Sequence, residues 1–108
     1  MSDKKKCRAE LIAAASVKVS TPSITFNSEV GFEDVLYNSL GVYTLELEHG
    51  QDPDRLVVEV TQNNTQMGDI VATVVDGRHI QVSSFNGAAG GGPGDSSFYI
   101  TVHKIERH

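Results

Sequence analysis

Alternation of apolar and polar residues between Gly41 and Glu48 constrains the fold of this chain more than any other feature. Three large apolar side chains, Tyr43, Leu45 and Leu47, alternate there with three polar ones. A period of two places the apolar side chains on one face of an extended strand. The stretch therefore predicts a half-buried β-strand, with one face on a core and the other in solvent.

Stretches of similar design recur along the chain at short intervals, and no long helical period interrupts them. The segment 8–20 contains good helix formers, but the alternation of Val17 and Val19 favours a strand. This rhythm predicts an all-β protein, an antiparallel β-sandwich that is jelly-roll-like and has about seven or eight strands. The other predicted strands lie at 24–26, 35–37, 55–61, 69–75, 78–85 and 97–105.

Turn-forming residues separate these predicted strands. Asp76-Gly77 predicts a two-residue β-hairpin over 69–85, and Gly31 marks a turn region over 27–34. The glycine-rich segment 87–94 is not followed by the Lys-Ser/Thr pair of a phosphate loop, and the next predicted element is a strand. We therefore expect it to be a flexible loop.

Charge is distributed unevenly along the 108 residues. Lys4, Lys5, Lys6 and Arg8 lie near the start, whereas residues 9–108 contain five basic and thirteen acidic residues, a net charge of −8. An acidic body argues against nucleic-acid binding, which requires a basic face. We predict a flexible basic tail over 1–7 that docks on a partner, and a single β-sandwich domain over 8–108.

No pattern of a catalytic, metal or cofactor site is present in the sequence. Cys7 is the only cysteine, which excludes an intramolecular disulfide, and the four histidines lack metal-site spacing. His79 and His103 could still approach each other across neighbouring strands. We expect no enzymatic activity, no metal and no cofactor. Since no secretory signal or membrane-length apolar run is evident, we expect synthesis in a reducing cytoplasm and no membrane contact.

The predicted strand at 69–75 has apolar residues on both faces, whereas a two-sheet sandwich buries only one face of each sheet. Burying a valine contributes roughly 1.5–3 kcal/mol, and monomers rarely tolerate a large exposed apolar patch. We therefore predict that Val57, Val71 and Val75 lie in a contact between subunits. Coverage of these residues by a loop or by the N-terminal segment of the same chain is the alternative.

Four segments carry a resemblance: the strands at 41–47 and 56–61, the hairpin ending at 80–87, and the strand at 95–102. Together they resemble a small β-sandwich module of phage tail fibres and other virion surface proteins. Such modules are typically trimeric and lack enzymatic activity. The resemblance implies a homotrimeric virion protein, made in the host cytoplasm, that acts as a capsid decoration (cement) or tail-fibre component and contacts capsid or tail proteins.

Two other functions are open from the sequence. A carbohydrate-binding module would adhere to host surface glycans through its loops, but the chain has no Trp, and Tyr37, Tyr43 and Tyr99 lie in predicted strands. The other is a lone immunoglobulin-like or C1q-like interaction domain of a cellular protein. A virion structural protein is the function that the sequence favours.

Overall fold

The fold was analysed in a computed structural model, which describes residues 7–63, 68–85 and 92–107. Eight β-strands form two four-stranded antiparallel sheets, which confirms the predicted all-β sandwich. The strands are β1 (Cys7–Ser20), β2 (Ser23–Val30), β3 (Phe32–Ser39), β4 (Val42–Leu47), β5 (Leu56–Gln62), β6 (Asp69–Val74), β7 (His79–Phe85) and β8 (Phe98–Arg107), and a 3₁₀ turn spans Pro53–Arg55.

The strand order divides the molecule into two layers. Sheet A has the order β2-β1-β8-β5, and sheet B has the order β3-β4-β7-β6. The chain passes from one sheet to the other between β2 and β3, β4 and β5, β5 and β6, and β7 and β8. Each sheet therefore has two edge strands, β2 and β5 in sheet A and β3 and β6 in sheet B.

The core lies between the sheets and follows the predicted alternation. Tyr43, Leu45 and Leu47 are at most 2% exposed, as predicted for the inner face of β4. The rings of Tyr43 and Phe98 stack across the two sheets with centroids 5.6 Å apart. The other buried apolar residues are Ala13, Ala15, Val17, Phe32, Val35, Ile80, Val82, Ile100 and Val102.

β1 and β8 are longer than their neighbours and project from one end of the sandwich. The first residues of β1, Cys7–Leu11, pair with the last residues of β8, His103–Arg107. β2 joins β1 only from Ala14 onward, and β5 begins opposite Lys104. The result is a ribbon that is two-stranded over Cys7–Ala9 and Ile105–Arg107, where β5 has not yet begun, and we refer to this end of the molecule as the ribbon end.

The predicted turn over 27–34 is wrong, because β2 continues to Val30 and β3 starts at Phe32. Gly31 alone makes the passage between sheets, with a φ of 83° that favours glycine. Its carbonyl accepts a 2.9 Å hydrogen bond from the N–H of Glu48, which ties the passage to the end of β4. A single left-handed residue is therefore enough to replace the loop expected from the sequence.

The hairpin of β6 and β7 is confirmed, but its loop has three residues, Asp76 to Arg78, and not two. The N–H of Val75 donates to the carbonyl of His79 over 2.9 Å and closes the loop. The Asp76 carboxylate accepts hydrogen bonds from the backbone N–H groups of Arg78 and His79, at 2.8 and 3.0 Å. This side-chain cap stabilises the longer loop, and local turn propensity did not reveal it.

Replacing Gly31 with alanine tests the passage between the sheets. An added Cβ would lie 2.2 Å from the carbonyl oxygen of Ile12, and the positive φ would be strained as well. We expect the Gly31→Ala variant to lose about 2–4 kcal/mol of unfolding free energy, measured by chemical denaturation. The control is Gly50→Ala, where the nearest atom would be 3.7 Å away and the loss should stay below about 0.5 kcal/mol. Equal losses would contradict this account.

Candidate functional site

A dense polar cluster surrounds Asp95, in the segment that leads into β8. One carboxylate oxygen, Oδ2, accepts hydrogen bonds from the hydroxyls of Thr21 and Tyr37, the latter at 2.6 Å. The other, Oδ1, accepts from the N–H of Gly41 at 2.7 Å and from the hydroxyl of Tyr43 at 3.0 Å. These donors belong to the β1–β2 turn, to β3, to the β3–β4 turn and to β4, so one carboxylate joins both sheets.

Two neighbouring hydrogen bonds extend this network. The Tyr43 hydroxyl accepts from the N–H of Ser96 at 3.1 Å, and the Ser97 hydroxyl accepts from the N–H of Val19 at 3.0 Å. The segment before β8 is thereby fixed to the core and to sheet A. This arrangement closes the end of the sandwich opposite the ribbon.

The network shifts the pKa values of its members. Burial raises the pKa of Asp95, but hydrogen bonds from Thr21, Tyr37, Gly41 and Tyr43 outweigh it, and the net pKa is lowered. Burial, with the nearby carboxylate, raises the pKa of Tyr43 well above its ordinary value. The hydrogen bond to Asp95 raises the pKa of Tyr37. Asp95 is therefore ionised at neutral pH and both tyrosines are protonated, which suits a structural role because each carboxylate oxygen already accepts two hydrogen bonds.

A second candidate is the outer side of sheet A, which we call the sheet A face. The register places Leu11, His103 and Val57 in one row across β1, β8 and β5. A parallel row begins with Val30 and Ala14. Leu11, Val30, Val57 and Tyr99 are 51%, 60%, 45% and 49% exposed, respectively. These exposed apolar side chains are interspersed with polar ones, because the row of Val30 and Ala14 continues to Thr101 and Glu59, and Tyr99 lies between Ser16 and Thr61. No described part of the chain covers them.

A shallow depression of about 500 Å³ lies in this face. It is lined by small side chains, among them Ala14, Ser16 and Ser28, and by Glu29, Val30 and Tyr99. The ring of Tyr99 is about half exposed beside them. The depression can therefore accommodate a flat or apolar group against an aromatic ring, next to hydroxyl groups.

The three valines predicted to form a subunit contact are exposed, but they lie on different sheets. Val57 belongs to the sheet A face, because its neighbours Leu56 and Val58 pack towards the core. Val71 alternates with Ile70 and Ala72, which face inward, so it lies on the outer side of sheet B. Val75, just after β6, is 57% exposed. One flat contact cannot cover both outer sides, and the predicted role in subunit contact stays a prediction.

The other sites considered from the sequence fall in separate places. Arg8 is exposed on the ribbon opposite Glu106, whereas Lys4, Lys5 and Lys6 lie outside the described residues. β1 begins at Cys7, one residue before the predicted start of the domain. His79 and His103 do not face each other across neighbouring strands, because β7 and β8 belong to different sheets.

Neither a metal cluster nor a membrane-spanning helix occurs in the described part of the chain. No group of three or more His, Cys, Asp or Glu side chains that could hold a metal ion is present in residues 7–63, 68–85 and 92–107. Over the same ranges, no helix has the length and apolar character needed to cross a bilayer. His79 instead contacts carboxylates, with Nδ1 2.9 Å from Asp76 and Nε2 4.0 Å from Glu46.

Comparisons of the chain with protein-family models, with curated proteins and with solved structures found no match. The resemblance to virion surface modules therefore stays a prediction from the sequence.

Replacing Asp95 with asparagine tests the structural role of the network. The amide offers one acceptor oxygen and turns an NH₂ group towards hydroxyl donors, so we expect a loss of about 2–3 kcal/mol in unfolding free energy at pH 7. The pKa of Asp95 is lowered by folding, so its contribution is complete above the unfolded pKa, near about 4, and is lost as the pH falls through the folded pKa. The difference between wild type and variant should therefore shrink on acidification.

Asp69→Asn is the matched control, because Asp69 is an exposed carboxylate at the same end of the molecule. Its unfolding free energy should differ from wild type by less than about 0.5 kcal/mol at pH 7. Denaturation curves between pH 2 and pH 7 provide both measurements. A pH-independent difference for Asp95→Asn would contradict the proposed role of the ionised carboxylate.

Proposed function

We propose that this protein is a non-enzymatic structural component of a virus particle that acts through protein–protein contacts as a homo-oligomer. It would serve as a capsid decoration or a tail-fibre component, with other copies of itself and capsid or tail proteins as partners. The observation that carries the proposal is the exposed sheet A face, where Leu11, Val30, Val57 and Tyr99 are each about half exposed.

The free-energy cost of exposing apolar side chains to water supports a partner for this face. A single exposed apolar residue is normal on a monomer, whereas several on one face favour an interaction surface. The rows of the sheet A face place one exposed apolar side chain from each of β2, β1, β8 and β5 on one surface, with polar residues such as His103 and Thr101 between them. The backbone pairing of the four strands holds these side chains in one arrangement, which lowers the entropic cost of association.

The Asp95 network supports a structural role in a different way. A catalytic carboxylate needs an oxygen free to contact substrate, but both oxygens of Asp95 are engaged by donors from the protein itself. The cluster instead links the two sheets at one end of the sandwich. The trimeric state and the virion location come from the resemblance of the strand pattern and are part of the proposal.

Val57→Asp tests the sheet A face. If Val57 is buried between subunits, a carboxylate there should weaken association by about ten- to a hundredfold, since burial of a valine contributes roughly 1.5–3 kcal/mol. Light scattering and sedimentation at low micromolar concentration would follow the mass from the oligomer towards the 11.7 kDa monomer.

Two comparisons sharpen this test. Val71→Asp reports on the outer side of sheet B, and an effect there as large as that of Val57→Asp would move the contact to that sheet. Thr73→Asp lies on the same side as Val71 and should leave the mass unchanged. A wild-type protein that stays at 11.7 kDa at these concentrations would refute the homo-oligomer.

One observation favours carbohydrate binding as a second function. Tyr99 is 49% exposed beside the shallow depression, and the hydroxyl-bearing residues Ser16, Ser28 and Thr101 line the same surface. Sugar rings stack on exposed aromatic rings and exchange hydrogen bonds with neighbouring polar groups. A host surface glycan is therefore the ligand class that this depression would suit.

Tyr99→Ala tests the second function on a glycan array. If the depression binds a sugar, the wild type should retain specific glycans and the variant should lose at least about tenfold in apparent affinity, because a stacking ring is removed. Leu36→Ala, an exposed apolar residue on sheet B, is the control and should bind like wild type. Absence of specific binding by the wild type would eliminate this function.

A further inference from the structure

Among the described residues, the stretch of β1 in the ribbon has a neighbouring strand on one edge only. On one side, Cys7–Leu11 pairs with β8; on the other side, β2 joins only from Ala14. An isolated two-stranded ribbon is only marginally stable in water, and an unpaired edge is a template for another strand. The ribbon is therefore a place where a further strand would add stability.

Charges alternate across the ribbon on one of its sides. Arg8 and Glu10 are two residues apart on β1, so their side chains share a face, and both are exposed. Across the strand pair, Arg8 lies opposite Glu106, and Glu10 lies opposite Lys104. Each charge on β1 is therefore in register with an opposite charge on β8, where Lys104 and Glu106 also pair with each other at 3.2 Å, and no described strand lies on its other side.

This short sequence is self-complementary when two copies run antiparallel. If the strands are centred on Ala9, Arg8 of one copy lies opposite Glu10 of the other, and the reverse pair forms by symmetry. Across the four strands the order of charges becomes Lys104, Glu10, Arg8, Glu106, alternating in sign throughout. Opposite charges directly across a strand pair are stabilising, whereas a register centred on Glu10 would place like charges together.

The opposite side of the ribbon is compatible with the same register. Ala9 lies opposite Ile105 on β8, and the symmetric pairing would place Ala9 against Ala9 of the second copy. Leu11, 51% exposed, would lie opposite Cys7 of the other copy. The small residue at the centre allows close approach, and the two sandwiches extend in opposite directions from the ribbon, away from each other.

We propose that the β1 edge of the ribbon pairs with the same edge of a second copy, in an antiparallel register centred on Ala9 with Arg8 and Glu10 as reciprocal ion pairs. The contact is two-fold symmetric, so by itself it gives dimers. It goes beyond the proposed function, since it uses the edge of β1 and not the outer side of sheet A, although Leu11 belongs to both, and it would link oligomers formed through that face. A ladder this short buries little surface, so we expect a dissociation constant of about 10 µM to 1 mM.

Charge reversal of each partner provides the test. Arg8→Glu places two acidic residues opposite each other in the dimer, and Glu10→Arg places two basic ones together. Each variant alone should associate at least about tenfold more weakly than wild type in sedimentation velocity at about 10 µM to 1 mM. Mixed together, the two variants should form a heterodimer, because each acidic side chain of the Arg8→Glu chain then lies opposite a basic side chain of the Glu10→Arg chain. Native mass spectrometry identifies that species by its mass.

Lys18→Glu is the matched control. Lys18 is an exposed cation on the same strand, but there β2 already pairs with the edge of β1, and Thr25 lies opposite Lys18. Circular dichroism confirms that each variant is folded. The proposal is overturned if wild type shows no self-association up to about 1 mM, if Arg8→Glu associates like wild type, if Lys18→Glu weakens association equally, or if the mixture gives no heterodimer. If Val57→Asp loses association and Arg8→Glu does not, the edge contact is refuted and the proposed function is unaffected.

Discussion

The carboxylate of Asp95 is the interaction on which the closed end of this sandwich depends. Two sheets pressed together by apolar side chains can slide or splay at their ends, where the core is thin. Here one charged group accepts hydrogen bonds from Thr21 on the side of sheet A and from Tyr37, Gly41 and Tyr43 on the side of sheet B. The donors come from separate parts of the chain, so the network can form only when both sheets are in place. It couples the turns of that end to the packing of the core.

The opposite end is organised by backbone contacts instead. Gly31 alone connects sheet A to sheet B, and its carbonyl accepts a hydrogen bond from the N–H of Glu48. The loop after β4 also contacts the β6–β7 hairpin loop, where the N–H of Gln51 donates to Gly77 over 2.8 Å. Arg78 adds a side-chain link, with its guanidinium 3.0 Å from the carbonyl oxygen of Leu47. The two ends of one sandwich are thus held by different chemistry.

The sequence predicted the parts of the fold that alternation controls. Tyr43, Leu45 and Leu47 are buried because a period of two places them all on one face of their strand, and that face packs on the core. This rule needs no tertiary information. The three-residue hairpin loop and the single-residue passage at Gly31 escaped prediction, because both depend on hydrogen bonds that local propensity does not display. Asp95 was missed entirely: a lone Asp after a glycine-rich stretch gives no local sign that four donors converge on it.

Surface properties were harder to predict than the core. Alternation placed Val57 and Val71 away from their own strands' inner faces, but only the sheet order assigns them to opposite sides of the molecule. The sheet A face became evident from register, which aligns Leu11 with Val57 through His103 although they are far apart in sequence. Sequence patterns specify which way a side chain points from its strand, whereas its neighbours depend on pairings that the sequence does not display.

The pairing of Cys7 with Arg107 brings the two ends of the described chain side by side at the ribbon tip. Neighbouring strands in an antiparallel pair have Cα atoms only about 4.5–5.5 Å apart. A short linker could therefore join these positions, and a circularly permuted chain could be opened elsewhere without changing the strand order. A reporter joined directly at Cys7 or at Arg107 would leave the sandwich at the ribbon tip, at the end opposite the loops around Asp95.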